Sequence, residues 1–183
     1  CVDWSVCMLI HREQRIFGII GRSGSGKTRL ISHLIPFFCK KGLGVSTIKH
    51  THHGVDMDTP GKDTFQHREN GAVEVMLATP ARWFLQHQST CPPTLGELIQ
   101  AMQPVDLILV EGFHEHVPAC LEVWRPITGK DPLYPNMPGI KAIATDSPTL
   151  HDSVTGKEVF PITDIESIAH YIHEHAFLWT SAE

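Results

Sequence analysis

The sequence predicts an α/β fold in which helices flank a mostly parallel sheet, with a β-hairpin as an extension. Short apolar strand patterns alternate along the chain with amphipathic helix patterns, which is typical of parallel sheets. A glycine-rich turn joins the first strand pattern to the first helix pattern. The length of 183 residues suits one domain with a sheet covered on both faces. We therefore expect a single domain over residues 16–183, preceded by an N-terminal extension over residues 1–15.

The first strand and helix flank this turn. The apolar run at residues 16–20 predicts a buried strand. A helix is expected from Gly26 or Lys27, because apolar side chains recur every three or four residues after that point. Pro36 falls inside this helix and should kink or shorten it, since proline lacks the backbone N–H that a helix interior uses. Residues 45–48 predict a second short strand.

The middle of the chain contains a loop, two helices and a hairpin. Residues 50–61 are polar and rich in turn formers, so we interpret them as a functional loop. Residues 63–70 predict a short helix, and residues 73–78 and 82–87 predict two strands of a hairpin. A capping box at residues 94–97, Thr-Leu-Gly-Glu, is expected to begin another helix.

The second half of the chain predicts three more strands and a final helix. The strands are expected at residues 106–110, 121–124 and 140–144. Residues 125–139 contain four prolines and therefore predict a loop. A second capping box at residues 163–166, Thr-Asp-Ile-Glu, is expected to begin the last helix.

Residues 21–28, Gly-Arg-Ser-Gly-Ser-Gly-Lys-Thr, match the phosphate-binding loop pattern G-x-x-x-x-G-K-T at every defined position. Glycines let the backbone wrap tightly, so that successive N–H groups point at the phosphates. The N-terminus of the following helix adds roughly half a positive elementary charge. The sequence therefore predicts a P-loop that binds a nucleoside triphosphate. The candidate phosphate-binding residues are Gly21, Arg22, Ser23, Gly24, Ser25, Gly26, Lys27, Thr28 and Arg29.

Four residues are the candidates for the chemistry at the phosphates. Lys27 should reach the β- and γ-phosphates, and the Thr28 hydroxyl should bind Mg²⁺. Glu111 ends a buried strand pattern, where ligands bind in parallel sheets, and should hold Mg²⁺ or orient the attacking water. A simple salt bridge or cap is the alternative for Glu111. Asp63 is a third candidate magnesium ligand, or else a favourable charge at a helix N-terminus. Lys27 and Glu111 are the candidate catalytic residues.

Asp146 is the candidate residue for recognition of the nucleotide base. It follows the strand pattern at residues 140–144, again at a carboxyl end. A carboxylate accepts hydrogen bonds from both N1–H and the exocyclic amine of guanine, and adenine offers no such pair of donors. The usual N-K-x-D guanine signature is absent from the sequence, so an exposed turn aspartate is the alternative.

Lys49, His50, His52 and His53 form an unusual cluster after the second predicted strand. We expect these side chains to contact phosphate or a ligand of a bound partner. Imidazole together with nearby carboxylates also binds Zn²⁺ or Ni²⁺, so a metal site is the alternative.

The composition excludes several other classes of protein. The formal charge is −5, with 15 Lys and Arg against 20 Asp and Glu, so no nucleic-acid partner is expected. Apolar runs such as residues 107–110 are far too short to cross a membrane. The five cysteines are scattered and never form a C-x-x-C pair, which favours a reducing, cytoplasmic location. Met8 is a candidate translation start, and residues 1–7 would then be upstream sequence or a remnant of expression.

Six segments of the chain occur in the order that is seen in one family. They are residues 21–28, 48–53 (I-K-H-T-H-H), 58–63 (D-T-P-G-K-D), 68–72 (R-E-N-G-A), 107–113 (L-I-L-V-E-G-F) and 144–146 (A-T-D). On these segments the chain resembles the molybdopterin-guanine dinucleotide biosynthesis adaptor protein B (MobB) family. The resemblance covers about residues 16–175, and K-H-T-H-H and P-G-K-D are far more specific than the P-loop itself.

The resemblance implies a P-loop NTPase fold that binds GTP with Mg²⁺ and hydrolyses it feebly. It also implies an accessory role: the family assists the molybdenum cofactor guanylyltransferase, which joins GMP to molybdopterin. Homodimers that form through an extended sheet are implied as well, and the hairpin over residues 73–87 could belong to that surface. The chain departs from the family at Phe113-His114-Glu115, where the family often has Phe-Lys, and in residues 1–15.

Two other functions remain open on the residues alone. A small-molecule kinase on the same scaffold would need a general base near the γ-phosphate, which His50, His52 or Asp63 could supply. A metallochaperone GTPase would load nickel or zinc through the histidines at residues 50–53.

Overall fold

The computed structural model describes residues 14–51, 54, 58–113 and 117–180. The chain divides into two compact units, of which one comprises Cys1–His50 with Ile99–Glu183 and the other Thr51–Leu98. Most of the predicted extension over residues 1–15 lies outside the described residues, and the single domain over residues 16–183 stays a prediction.

In the described residues strands and helices alternate along much of the chain, as the sequence predicts. The strands are β1 (Gln14–Ile20), β2 (Val45–Lys49), β3 (Glu74–Ala78), β4 (Trp83–His87), β5 (Leu107–Glu111), β6 (Cys120–Val123), β7 (Ile140–Thr145), β8 (Glu158–Pro161) and β9 (Phe177–Trp179). The helices are α1 (Lys27–Lys40), α2 (Asp63–Glu69), α3 (Leu95–Gln100), α4 (Asp152–Thr155) and α5 (Ile165–His175), with one 3₁₀ turn at Pro126–Thr128. The alternation has two exceptions: β3 directly precedes β4, and among the described residues no α-helix separates β5, β6 and β7.

The first unit contains a seven-stranded sheet whose main path is β2-β5-β1-β6-β7-β8. Every neighbouring pair along this path is parallel. The remaining strand, β9, pairs antiparallel with the beginning of β1, whereas β6 pairs with the end of β1. The mostly parallel sheet of the sequence prediction is therefore confirmed, and all six parallel strands end at one edge of the sheet.

The main core lies between the sheet and the helices α1 and α5, which contact each other. Alternate residues of the strands face these helices, because successive side chains of a strand point to opposite faces. Helix α1 packs its buried face on the sheet through Leu30, Ile31, Leu34 and Phe38. Pro36 does not shorten α1, which continues to Lys40. Pro36 is exposed, and burial of the apolar side chains around it offsets the hydrogen bond that proline cannot make.

The two predicted capping boxes have different outcomes. At α3, the Thr94 N–H donates to Glu97 Oε2 at 2.7 Å and the Glu97 N–H donates to Thr94 Oγ1 at 3.3 Å, so the first box is confirmed. At α5, the N-cap is Asp164, whose Oδ1 accepts from the Ser167 N–H at 3.1 Å. The predicted second box therefore begins one residue too early, because aspartate is preferred over threonine as an N-cap.

The second unit contains the predicted hairpin. Strands β3 and β4 pair antiparallel, with Leu77 opposite Phe84, and α2 packs against β3. Large apolar side chains of both strands are exposed, and they include Met76, Leu77, Trp83 and Phe84 at 49–58%. The hairpin therefore presents an apolar surface to solvent.

Candidate phosphate-binding site at the carboxyl edge of the sheet

Three neighbouring strands deliver their last residues to the same place. In the register of the sheet, Glu111 at the end of β5 lies opposite Ile19 of β1 and Lys49 of β2. The glycine-rich loop begins at Gly21, immediately after β1, and α1 begins at Lys27. The parallel arrangement therefore brings the loop, an acid and a base together from distant parts of the sequence.

The glycines of the loop adopt backbone conformations that other residues rarely reach. Gly21, Gly24 and Gly26 have φ values of 141°, 85° and 101°. A Cβ on Gly21 would lie 2.3 Å from the Val123 carbonyl oxygen, so this glycine is required by packing as well as by conformation. A Cβ on Gly24 would meet nothing within 4 Å, so the open side of the loop lies at Gly24.

A fully enclosed hydroxyl adds to the evidence that the loop suits a polar ligand. Ser25 is 1% exposed, and its Oγ has no hydrogen-bond partner within the protein. An unpaired buried hydroxyl costs about 1–3 kcal/mol unless a ligand or water satisfies it. The open side at Gly24 and the helix N-terminus at Lys27 fit an anion with several oxygen acceptors.

Lys27 is held inside the loop by two backbone acceptors. Its Nζ donates to the carbonyl oxygens of Gly21 at 2.9 Å and Arg22 at 3.0 Å. Burial lowers the pKa of Lys27, Glu111 opposes this effect, and the positive charges of Lys49 and Lys130 add to it. An anion bound at the loop would relieve this crowding of positive charge.

Thr28 and Glu111 form a pair of oxygen donors beside Lys27. The Thr28 hydroxyl donates to Glu111 Oε1 at 3.1 Å, and the other carboxylate oxygen lies 3.3 Å away. Lys49 Nζ lies 3.4 Å from Glu111 Oε1, and the Glu111 side chain is 12% exposed. Hydroxyl and carboxylate oxygens are the ligands that Mg²⁺ prefers, so these two residues fit a magnesium ion that also binds phosphate.

The chain turns sharply just after Glu111. The His50 N–H donates to the Glu111 carbonyl at 2.8 Å, and the rings of His50 and Phe113 lie 4.3 Å apart. Gly112 has a φ of 94° and Phe113 a φ of 51°, which is unusual for a bulky residue. His50 is thus packed next to the acid-bearing strand. His52 and His53 lie outside the described residues, as do His114 and Glu115.

Asp146 follows β7 at the same edge of the sheet and lines a cavity of about 770 Å³. Its Oδ2 lies 2.7 Å from Nε of Arg125. This ion pair has no local signal in the sequence, since Arg125 belongs to a proline-rich segment that predicts only a loop. The role of Asp146 in base recognition stays a prediction.

The remaining predicted residues are placed as follows. Arg22 and Arg29 are exposed, and the Nε of Arg22 donates to the Asp131 carbonyl at 3.4 Å. Asp63 is exposed at the first residue of α2, in the second unit, and its role as a magnesium ligand stays a prediction. Among the described residues no group of three or more His, Cys, Asp or Glu side chains could hold a metal ion.

Glu122 is a notable residue that the sequence analysis missed. It is completely buried in β6, and its two oxygens accept from the N–H groups of Leu133 and Tyr134 at 2.7 and 2.8 Å. Burial raises the pKa of Glu122, and the two amide hydrogen bonds and Arg22 oppose that rise. A single acid inside the apolar strand Cys-Leu-Glu-Val was the signal that could have revealed it.

The sheet order, the glycine loop between β1 and α1 and the acid at the end of β5 define a P-loop NTPase fold. Solved structures agree: a MobB protein homolog from Bacillus stearothermophilus has a TM-score of 0.63 at 18% identity, covering 87% of this chain and 95% of that one. Bacillus subtilis MobB has a TM-score of 0.67 at 22% identity, covering 89% and 98%. At these identities the likeness shows the fold alone.

Sequence comparisons show the family. The family described as molybdopterin guanine dinucleotide synthesis protein B matches residues 16–146. A molybdopterin-guanine dinucleotide biosynthesis adapter protein from Haemophilus influenzae is 35% identical, over 90% of this chain and 91% of that protein. One from Escherichia coli K12 is 34% identical, over 83% and 87%. The chain belongs to the MobB family, as its motifs indicate. No helix in the described part of the chain is long and apolar enough to cross a membrane.

Proposed function

We propose that this protein is a GTP-binding accessory protein of molybdenum cofactor biosynthesis, which assists the attachment of GMP to molybdopterin. Membership of the MobB family supports the pathway, since the bacterial relatives are named as adapters in molybdopterin-guanine dinucleotide biosynthesis. The observation that carries the nucleotide site is the convergence of Lys27, Thr28 and Glu111 at the glycine loop.

The proposed site has three parts. Residues 21–29 hold the phosphates through backbone N–H groups and Lys27. Thr28 and Glu111 hold Mg²⁺, with Asp63 as a further ligand, and the ion neutralises phosphate charge when it is bound. Asp146 accepts hydrogen bonds from the guanine base, which requires its ion pair with Arg125 to rearrange or to share the carboxylate.

We propose that hydrolysis is slow. Glu111 is already engaged by the Thr28 hydroxyl and lies close to the Lys49 ammonium, an arrangement that suits a metal ligand better than a general base. An additional cation that stabilises the transition-state charge raises the rate of comparable phosphoryl transfers by about 10³–10⁵-fold. The accessory role therefore needs binding of GTP more than its turnover.

The proposed partners are the molybdenum cofactor guanylyltransferase, molybdopterin and a second copy of this chain, in the cytoplasm. Lys49, His50, His52 and His53 are proposed to contact phosphate or the partner's ligand. The exposed apolar hairpin supports the homodimer, because a monomer rarely leaves such a surface uncovered.

Calorimetric titration of the purified protein with GTP and with ATP, each with Mg²⁺, tests the nucleotide site. We expect GTP to bind more tightly than ATP, and equal affinities would contradict the base assignment. Capture of the guanylyltransferase on the immobilised protein, with and without GTP, tests the accessory role. Transfer of labelled γ-phosphate to molybdopterin would instead identify a kinase.

A further inference from the structure

We propose that Lys130 is a second phosphate-binding cation. In this proposal its ammonium breaks a hydrogen bond to a backbone carbonyl of the glycine loop and binds the phosphates of the nucleotide instead. The proposal rests on the proposed function, since it assumes a nucleotide at residues 21–28. It assigns a role to the segment between β6 and β7, for which neither the motifs nor the family comparison provides one.

Lys130 contacts the glycine loop directly from more than a hundred positions away in the sequence. Its Nζ donates to the Ser23 carbonyl oxygen at 3.0 Å. In the reverse direction, Nε of Arg22 donates to the carbonyl oxygen of Asp131, the next residue, at 3.4 Å. Lys130 and Asp131 of the segment therefore form hydrogen bonds with Ser23 and Arg22 of the loop.

The backbone around Lys130 is anchored on both sides. The Trp124 indole N–H donates to the Lys130 carbonyl at 2.9 Å, and the Thr128 hydroxyl accepts from the Lys130 N–H at 3.4 Å. Farther along, the buried Glu122 carboxylate holds the N–H groups of Leu133 and Tyr134. These bonds fix the base of the lysine side chain beside the loop, while its exposed ammonium can change partner at little cost.

The electrostatics favour such a change of partner. Lys130 lies close enough to Lys27 for its charge to help lower the pKa of the Lys27 ammonium. Two ammonium groups near one loop repel each other until an anion arrives between them. A hydrogen bond from an ammonium to a charged phosphate oxygen is roughly twice as strong as one to a neutral carbonyl. The Ser23 carbonyl therefore accepts the hydrogen bond of Lys130 when no nucleotide is bound, and a phosphate oxygen replaces it when the nucleotide binds.

The test compares Lys130→Met, Lys130→Arg and a matched control, Lys141→Met, with the wild type. Lys141 is exposed on β7, so its substitution removes the same charge without touching the loop. Dissociation constants are measured by calorimetry for GTP and for inorganic triphosphate, both with Mg²⁺. Thermal unfolding of each variant without ligand shows whether the fold is intact.

We expect Lys130→Met to weaken the binding of both ligands by about tenfold. This ratio corresponds to about 1.4 kcal/mol, which is the size of one charge-assisted hydrogen bond. Lys130→Arg should retain most of the affinity, and Lys141→Met should bind as the wild type does. The loss in Lys130→Met should shrink as salt is added, since a charge contact is screened.

Three results would overturn the proposal: unchanged affinity in Lys130→Met, loss of GTP binding with normal triphosphate binding, or an equal loss in Lys141→Met. The second result would mean that Lys130 shapes the region of the base, and the third that only net charge matters. If the wild type itself bound neither ligand, the proposed function would fail, and not this assignment alone.

Discussion

The ammonium of Lys27 has two carbonyl acceptors and two other ammonium groups in its neighbourhood. Such a group is prepared for an anion, since its hydrogen-bond partners are neutral and two of its charged neighbours, Lys49 and Lys130, repel it, although Glu111 attracts it. The Glu111 carboxylate, shared by Thr28 and Lys49, is similarly prepared for a cation. The site therefore holds opposite charges a short distance apart, as a phosphate–magnesium pair requires.

Lys27→Ala should weaken the binding of GTP with Mg²⁺ by roughly 100-fold or more while leaving the fold intact. Two charge-assisted bonds at about 1.5 kcal/mol each correspond to a loss of roughly 100-fold. Calorimetry gives the affinity, and circular dichroism on heating gives the stability. Lys141→Ala is the control. Affinity equal to that of the wild type in a folded Lys27→Ala variant would contradict the assignment of the site.

Cys120 should be almost inert in the folded protein. Burial raises its pKa to about 11, so at pH 8 only about one thiol in a thousand is the reactive thiolate. Cys39 and Cys91 are exposed and should react at ordinary rates. Timed alkylation followed by peptide mass spectrometry measures all three positions in one sample. Labelling of Cys120 as fast as that of Cys91 would show that this part of β6 opens readily.

At the scale of the element, the glycine loop needs glycine for two different reasons, lack of space and backbone conformation. At Gly21 the neighbouring chain leaves no room for a side chain, whereas at Gly24 only the backbone conformation is demanding. The loop can therefore be dissected by small substitutions at these two positions.

Gly24→Ala should cost only about 1–2 kcal/mol of unfolding free energy, which is the price of a left-handed conformation in a residue with a Cβ. Gly21→Ala should cost more, because a Cβ there would lie 2.3 Å from the Val123 carbonyl and the backbone must shift. Urea unfolding measures both variants.

Gly42→Ala is the matched control for Gly24→Ala, since Gly42 has a φ of 83° and a Cβ there also meets nothing within 4 Å. Gly42 directly follows Lys41, the C-cap of α1, at the opposite end of this helix from the loop. We expect a similar loss of stability in both variants but weaker binding of GTP in Gly24→Ala alone. Equal affinities would show that Gly24 does not face the phosphates.

At the scale of the whole molecule, the hairpin carries a cluster of exposed apolar side chains. Leu77 and Phe84 lie opposite each other and are 49% and 50% exposed. The hairpin forms its own two-stranded sheet, so its strands have edges available for pairing. These features are what an extended-sheet homodimer would use.

Phe84→Lys should convert the protein to a monomer, because a charge at the centre of an apolar interface is strongly unfavourable. Sedimentation velocity at several protein concentrations measures the mass. Val154→Lys is the control, since Val154 is 69% exposed in the first unit and does not belong to the hairpin. A monomeric wild type, or a dimeric Phe84→Lys variant, would contradict the hairpin interface.

Local patterns were sufficient to predict most of the sheet, and they failed where a strand depends on distant partners. β1, β5 and β7 are mostly apolar and largely buried, β2 is a partly exposed strand at the end of the sheet, and all four lie within a residue or two of their predicted limits. β8 and β9 are short and partly exposed, so no local pattern marks them. They are strands only because β7 and β1 offer them edges to pair with.

The sequence by itself determined the fold class, the family and the phosphate-binding loop, because each depends on the order and spacing of residues that are close along the chain. The tertiary structure decided which distant side chains meet at that loop. Lys130 reaches Ser23, and Glu122 anchors the segment that carries Lys130. An acid within an apolar strand marks Glu122 as unusual, but no local pattern indicates which groups these two side chains contact. The pairing of β1 with β6 brings the loop after each of these strands to the same edge of the sheet. The contact of Lys130 with Ser23 depends on that tertiary arrangement and not on residues that are close along the chain.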